Sequence, residues 1–136
     1  MILNIGGEGE PIDDSSGALV VNVNAFYEIA MIRPRFHEAL PQEQVWPAHA
    51  HATGLPDSYA DRIVARRFPI SANRAYDGAS IDEIAVEMFR VAKPGAELDF
   101  GCASCDTKAL ALAFHRSGFR DVTIRSGGYP VRGRKP

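Results

Sequence analysis

The chain has 136 residues, a net charge of −2 and 46% hydrophobic residues, values typical of one globular domain. No apolar run approaches the roughly 20 residues of a membrane span, and the N-terminus lacks a signal-peptide pattern, so we expect no membrane partner. The near-neutral charge argues against a general nucleic-acid partner, although seven basic residues and one acid fall between Lys108 and Pro136.

The first half of the chain predicts four strands and one short helix. Met1–Ile5 and Gly17–Asn24 are short apolar runs typical of buried strands. The link between them is rich in Gly, Asp and Ser, which predicts a loop and not a full crossover helix. Ala25–Ile32 can form a short helix. "QVWPAHAHA" then predicts a third strand entered past Pro47, and "DSYADRIVARRFPI" a fourth centred on residues 63–65.

The second half predicts two helices and two further strands. Ser80 and Glu83 have capping-box spacing, so we expect a helix that starts at Ile81, includes Ala92 and Lys93, and is stopped by Pro94-Gly95. "AELDFGCA" follows as a strand. Asp106 is placed to cap the helix "TKALALAFHRS", and Gly118 to terminate it. "FRDVTIR" alternates apolar and polar residues, which suits an edge strand.

This alternation predicts an α/β three-layer sandwich with a mainly parallel, doubly wound sheet. We expect a single domain over residues 1–126, followed by a flexible basic tail over residues 127–136. The tail could meet an anion, or it could simply be solvated.

Two cysteines and two of the four histidines are candidates for metal binding. Cys102 and Cys105 form a lone CxxC, short of the four ligands of a structural zinc site, so we expect two reduced structural cysteines, with a redox pair or a metal pair as alternatives. His49 and His51 would share one strand face, where they could bind metal or act as acid and base. Histidines in such positions are more often structural, so no metal site is expected.

Several blocks of the sequence resemble one enzyme family. "IDEIAVEMFRVAKPGAELDF" and "LALAFHRSGFRDVTI" resemble the second half of a class I S-adenosylmethionine-dependent methyltransferase, and "RVAKPG" is the most specific part. "ILNIGGEGE" and "VVNVN" are similar to the family's glycine motif and to the end of its second strand. The resemblance implies a Rossmann-like methyltransferase fold whose first crossover helix is lost, and S-adenosylmethionine as cofactor.

The same resemblance implies a set of cofactor-binding residues. In doubly wound sheets a glycine turn lets the backbone approach the ligand, and an acid after the second strand binds the ribose hydroxyls. Here Asn4, Asn24 and His51 stand where the family commonly has acids, so their contacts lack charge assistance. The implied cofactor site consists of Asn4, Gly6, Gly7, Gly9, Asn24, His51 and Ala52.

Three further residues are candidates for substrate binding. Arg66 and Arg67 are neighbours at a strand end and should point to opposite faces, so that one can bind a phosphate or carboxylate. Alternatively they form surface pairs with Asp57 or Asp61. Tyr59 either packs in the protein or lines the pocket mouth. No catalytic base is identified, and methyl transfer from a sulfonium can proceed largely by placement.

The function that these features predict is a minimal methyltransferase-like enzyme with an unidentified methyl acceptor. "LNIGGEGE" followed by "GALVVNVN" also resembles compact domains at the C-termini of bacterial polymorphic (Rhs-type) toxins, which would make it a toxin effector. It would then work in a target cell, and otherwise in the cytoplasm. One alternative is a non-catalytic protein-interaction domain, which could be a homodimer joined across a sheet edge. Another is an enzyme for a different nucleotide whose phosphate Arg66 or Arg67 binds.

Overall fold

The computed structural model describes residues 1–7, 12, 15–25, 40–75, 77–104, 106–125 and 130–136. Two α-helices lie in this part, α1 (Ile81–Val91) and α2 (Thr107–Ser117), with one 3₁₀ turn at Gln42–Gln44. The strands in chain order are β1 (Ile2–Ile5), β2 (Val20–Val23), β3 (Val45–Trp46), β4 (Ala60–Phe68), β5 (Ile70–Ser71), β6 (Arg74–Ala75), β7 (Ala92–Cys102), β8 (Arg120–Ile124) and β9 (Val131–Arg134).

Seven of these strands form one sheet in the order β3-β2-β1-β4-β7-β9-β8. Neighbouring strands from β3 to β7 run parallel, whereas β9 is antiparallel to both β7 and β8. The chain moves outward from β1 to β3 on one side and then crosses to β4 on the other side of β1. The predicted α/β class with a mainly parallel, doubly wound sheet is confirmed, and the strand order reverses between β1 and β4.

Both described helices begin as the sequence predicts, and α2 also ends as predicted. The end of α1 differs: the helix stops at Val91, and β7 begins at Ala92 and runs through the predicted stop at Pro94-Gly95, since a residue before proline disfavours the helical conformation. At the start of α1, Ser80 and Glu83 form the capping box, each side chain accepting a hydrogen bond from the other residue's amide. Asp106 accepts hydrogen bonds from two amides in the first turn of α2. Gly118 ends α2 at a φ of 122°, and an added Cβ there would lie 2.7 Å from the Phe89 ring. The two helices pack against each other beside the sheet.

The prediction of a flexible basic tail over residues 127–136 is wrong for the last residues of that range. Val131 is fully buried in β9, which pairs with β7 on one side and β8 on the other. Beyond the strand, the Lys135 ammonium donates hydrogen bonds to the carbonyls of Phe89 and Ala92, both at 2.8 Å. The domain therefore extends past residue 126 to include this strand, and β8 occupies the predicted sheet edge.

The chain between β2 and β4 differs in detail from the prediction. β3 lies before Pro47, not past it, and the two histidines lie beyond it at a tight turn where Ala52 pairs with His49 in a single bridge. After β4 comes an unpredicted hairpin of β5 and β6, whose turn residues Ala72 and Asn73 both have positive φ, as a type I′ turn requires. The predicted helix over Ala25–Ile32 falls almost wholly outside the described residues.

Two further expectations concern chemistry and membranes. Cys102 is disulfide-bonded, which overturns the expectation of reduced cysteines; Cys105 lies outside the described residues. CxxC spacing permits either state, and the redox conditions that decide between them leave no trace in the sequence. Within the described part of the chain, neither helix is long and apolar enough to cross a bilayer.

Candidate functional site

A cavity of about 230 Å³ lies at the carboxyl ends of β1, β2 and β4. This is the place where the strand order reverses, and ligands of open α/β sheets bind at such a point. The walls are mostly apolar, with a few polar groups. The lining residues are Gly6, Val23, Asn24, Ala25, Ala48, His49, Ala50, Arg67, Phe68, Pro69, Ala75 and Asp77.

The glycine turn after β1 forms one wall of this cavity. Gly6 has a φ of 72°, which side chains rarely adopt, and its amide donates to the Val23 carbonyl at 2.8 Å. Gly7 has a different reason to be glycine: an added Cβ would lie 2.3 Å from Asn4 Nδ2 and 2.4 Å from Asn22 Oδ1. Gly6 thus borders the cavity and Gly7 packs behind it. Gly9 lies outside the described residues.

Asn4 lies behind the cavity, in the interior of the sheet. It is fully buried, and its Nδ2 donates to Asn22 Oδ1 at 2.9 Å across the β1–β2 pair. Asn22 in turn donates to the Gln44 carbonyl at 3.1 Å, so a line of amides ties β1 and β2 to the 3₁₀ turn before β3. Within the part of the chain that the structure describes, Asn4 Oδ1 is buried without a hydrogen-bond partner. The arrangement gives Asn4 a role in joining strands.

Asn24 does line the cavity, directly after β2. Its Nδ2 donates to the carbonyls of Gly6 at 3.3 Å and Gly7 at 3.4 Å, so it fastens the glycine turn to the end of β2. A carboxylate has no proton to donate and would repel these carbonyl oxygens. These two hydrogen bonds therefore explain why an amide stands at Asn24, where the family that the sequence resembles commonly has an acid.

Arg66 and Arg67 face opposite sides of the sheet, as the alternation of a strand predicts. Arg67 lines the cavity, whereas Arg66 lines a separate depression. Asp57 and Asp61, the acids suggested as their surface partners, pair with other groups. Asp57 lies 2.6 Å from Arg90, and Asp61 contacts the N-terminal amine and Lys93.

Tyr59 does not line the cavity mouth. It immediately precedes β4, whereas the cavity lies at the other end of that strand. At about 3.3 Å per residue, Tyr59 and Arg67 are separated by roughly 26 Å along the strand. Its amide donates to the Val91 carbonyl at 2.7 Å, and its ring packs against the hydrophobic core. The packing alternative is the one that the structure supports.

A cluster of two histidines and an acid stands at the cavity rim. His49 Nδ1 lies 2.6 Å and His51 Nδ1 3.3 Å from the same Asp77 Oδ2. His49 and Asp77 line the cavity, whereas His51 and the exposed Ala52 are not among the described residues that line it. The sequence predicted that the two histidines share one face of a strand, whereas in the structure a turn at His49–Ala52 brings them together. Asp77 was missed because only the fold places it beside them.

A buried polar network holds this turn against helix α1. Glu87 Oε1 accepts hydrogen bonds from the Thr53 hydroxyl at 2.6 Å and the Thr53 amide at 2.9 Å, and Arg90 contacts both carboxylate oxygens. Burial alone would raise the pKa of Glu87, but these hydrogen bonds outweigh it and hold that pKa below its ordinary value. The Thr53 carbonyl accepts from Trp46 Nε1 at 2.7 Å, which links the turn to β3.

Comparisons with solved structures identify the fold, whereas those with protein families and curated proteins find no match. No protein-family model matches the chain, and no curated protein matches it. Among solved structures it is similar to a SAM dependent methyltransferase from Aquifex aeolicus, at 18% identity and a TM-score of 0.71 over 99% of this chain and 81% of that one. It is also similar to a SAM dependent methyltransferase from Archaeoglobus fulgidus, at 18% identity and a TM-score of 0.67 over 90% of this chain and 62% of that one. The similarity to the [4+2]-cyclase SpnF has 18% identity and a TM-score of 0.65 over 90% of this chain and 52% of that one.

At this identity the likeness shows the fold alone. The chain has the Rossmann-like methyltransferase fold, so the resemblance drawn from the sequence is confirmed at that level. It spans only 62% and 52% of the Archaeoglobus protein and of SpnF. A cyclase among the similar structures also illustrates that this fold does not by itself determine the reaction.

Proposed function

We propose that this chain is a compact domain that binds S-adenosylmethionine and acts as a methyltransferase. The observation that carries the proposal is the cavity at the carboxyl ends of β1, β2 and β4, at the point where the strand order reverses. Its apolar walls and few polar groups are the usual lining of a small-molecule site. The similar folds named as S-adenosylmethionine-dependent enzymes support the choice of ligand.

The residues at the cavity fit an adenosyl ligand in kind, with weaker contacts than usual. Gly6 lets the backbone approach the ligand, and Asn24 is the polar group after β2, where a carboxylate commonly binds ribose hydroxyls. A neutral amide forms weaker hydrogen bonds than a carboxylate by about 1 kcal/mol, or roughly fivefold in affinity per contact. The cofactor, when bound, would supply the methyl group.

Arg67 is the residue we assign to the methyl acceptor. Its side chain lines the cavity beside Phe68 and Pro69, at the end of β4. A guanidinium there can bind a carboxylate or phosphate of the acceptor and orient it toward the cavity. The remaining requirement is placement, because well-oriented reactants gain much of the rate without proton transfer.

Isothermal titration calorimetry with S-adenosylmethionine and S-adenosylhomocysteine tests the proposal. We expect saturable heat with both, and its loss in Ala48→Phe, which places a ring in the cavity. Val86→Phe is the matched control, since Val86 is 60% exposed on α1. Absence of heat with either ligand at near-millimolar concentration would overturn cofactor binding. Equal binding by the wild type and by Ala48→Phe would move the site elsewhere.

The toxin role is a further part of this proposal. It is supported by the resemblance of "LNIGGEGE" and "GALVVNVN" to toxin C-terminal domains. Expression of the chain in the bacterial cytoplasm should then arrest growth, and Ala48→Phe should relieve the arrest. Growth that is unaffected by the wild-type chain at comparable expression would contradict the toxin role. It would not contradict cofactor binding, which the calorimetry tests separately.

A non-catalytic interaction domain is the second candidate. The observation that favours it is that Asn4 and Asn24 donate their hydrogen bonds within the chain. In this case we expect self-association across the outer edge of β8, where Ile124 is 36% exposed. Light scattering should show a dimer that Ile124→Lys dissociates; a monomer at all concentrations would exclude this interface.

A further inference from the structure

We propose that His49, His51 and Asp77 form a binding site for one divalent transition-metal ion of the zinc class. Each residue offers one ligand atom, and the three atoms lie within 4.8 Å of one another. Two imidazoles and one carboxylate suit zinc and its transition-metal neighbours, whereas magnesium and calcium prefer oxygen ligands. The proposal is independent of the proposed function, because it requires no adenosyl ligand.

The distances suit such an ion after a small movement. Bonds of about 2.0–2.1 Å in a tetrahedral site place neighbouring ligand atoms roughly 3.4 Å apart. His51 Nδ1 and Asp77 Oδ2 are already 3.3 Å apart. His49 Nδ1 is 2.6 Å from the same oxygen, so this pair must open by less than about 1 Å. The His49 side chain is 49% exposed and has room to move.

The ring of His51 supplies an independent reason to expect an ion. Its Nδ1 is buried and has no hydrogen-bond partner among the described residues, although Asp77 lies 3.3 Å away. A buried nitrogen without a partner is unfavourable, and such groups in native proteins usually have a ligand or ordered water. A metal ion between this nitrogen and the Asp77 carboxylate would satisfy both.

The surrounding structure positions the carboxylate for a single-oxygen bond. Asp77 Oδ1 accepts a hydrogen bond from the Ala79 amide at 3.1 Å, which leaves Oδ2 facing the two imidazoles. Gly78 follows with a φ of 87°, and its amide donates to the Ala75 carbonyl at 2.9 Å, so a tight turn holds the acid in place. Such outer contacts orient metal ligands in known sites.

The position of the cluster gives the site an open side. His49 and Asp77 both line the cavity, so an ion bound by three protein ligands would present its remaining position toward it. Three protein ligands with one open position are typical of catalytic zinc sites, and four of structural ones. The site would therefore hold a water or a polar group of whatever occupies the cavity.

Calorimetric titration of the untagged, chelator-treated chain with zinc chloride, without any adenosyl compound, tests the site. We expect about one ion per chain, with no heat from magnesium. His51→Ala and Asp77→Asn should each weaken binding at least roughly 100-fold, since loss of outer contacts alone costs 10–100-fold. Asparagine keeps the acceptor for the Ala79 amide, so Asp77→Asn should retain the fold.

His115→Ala is the matched control, because His115 is exposed on α2. It should bind zinc as the wild type does. Cobalt in place of zinc should give visible absorption bands that Asp77→Asn abolishes. The proposal is overturned if the wild type takes up no zinc, or if Asp77→Asn and His115→Ala bind it equally well. An intact zinc site with no heat from S-adenosylmethionine would overturn only the proposed function.

Discussion

Replacing Gly7 with alanine should strongly destabilise the protein, although the backbone at this position does not require glycine. The φ angle of Gly7 is not positive, so the backbone conformation at this position allows alanine. Its Cβ would nevertheless lie 2.3 Å from Asn4 Nδ2 and 2.4 Å from Asn22 Oδ1. Both asparagines are buried and bonded to each other, so neither can swing away into solvent.

The cost has two sources. Overpacking a tight interior costs about 1–3 kcal/mol. Separating the Asn4–Asn22 hydrogen bond leaves buried polar groups without partners, at about 1–3 kcal/mol more. We therefore expect Gly7→Ala to lower the free energy of unfolding by about 2–6 kcal/mol. For a chain of this length each kcal/mol corresponds to roughly 3–4 °C, so a loss of 3 kcal/mol lowers Tm by about 10 °C.

Urea unfolding followed by circular dichroism measures this loss. Gly17→Ala is the control, since Gly17 has a φ of 72° and no atom of a described residue lies within 4 Å of an added Cβ. It should cost about 1 kcal/mol, from the backbone alone. If Gly7→Ala costs no more than Gly17→Ala, the packing of the glycine turn against the two asparagines is not as described.

Two further predictions concern the supports of the site. Because hydrogen bonds lower the pKa of Glu87 in the folded state, its contribution to stability is present above the ordinary carboxyl pKa and is lost as pH falls through the lowered value. Glu87→Gln should lower the free energy of unfolding by about 1–3 kcal/mol at neutral pH. It should also flatten the loss of stability as the pH falls toward roughly 4, which urea midpoints at several pH values would show. An unchanged loss of stability at low pH would contradict this. Asn24→Asp should cost about 1–2 kcal/mol at neutral pH because a carboxylate cannot donate to Gly6 and Gly7, and part should return when the acid is protonated; thermal unfolding that is as stable as the wild type at neutral pH would refute the role given to Asn24.

The sequence predicted those parts of the fold that rest on local signals. The capping box at Ser80, the cap at Asp106 and the terminating Gly118 each have a direct chemical cause in neighbouring residues. β4 was predicted from its short, β-branched apolar centre at residues 63–65. By contrast, β9 contains one apolar residue beside two arginines, and only its pairing on both sides shows that it is a strand.

The candidate site was predictable only in part for the same reason. The family resemblance placed Gly6 and Asn24 at the carboxyl ends of neighbouring strands, where ligands of such sheets bind. Strand alternation left open which of Arg66 and Arg67 faces the cavity, and the structure places Arg67 there. The meeting of His51 with Asp77 depends on a hairpin and a tight turn from separate parts of the chain. No local pattern reports that contact, and no spacing rule links the residues.

A crystal structure of the chain with S-adenosylhomocysteine would show whether the cavity binds the cofactor. We expect density for the nucleoside between the glycine turn at Gly6 and the side chain of Asn24, with the ligand's sulfur directed toward the end of β4. A cavity closed by the protein's own side chains, with the ligand elsewhere or missing from crystals grown in its excess, would contradict it.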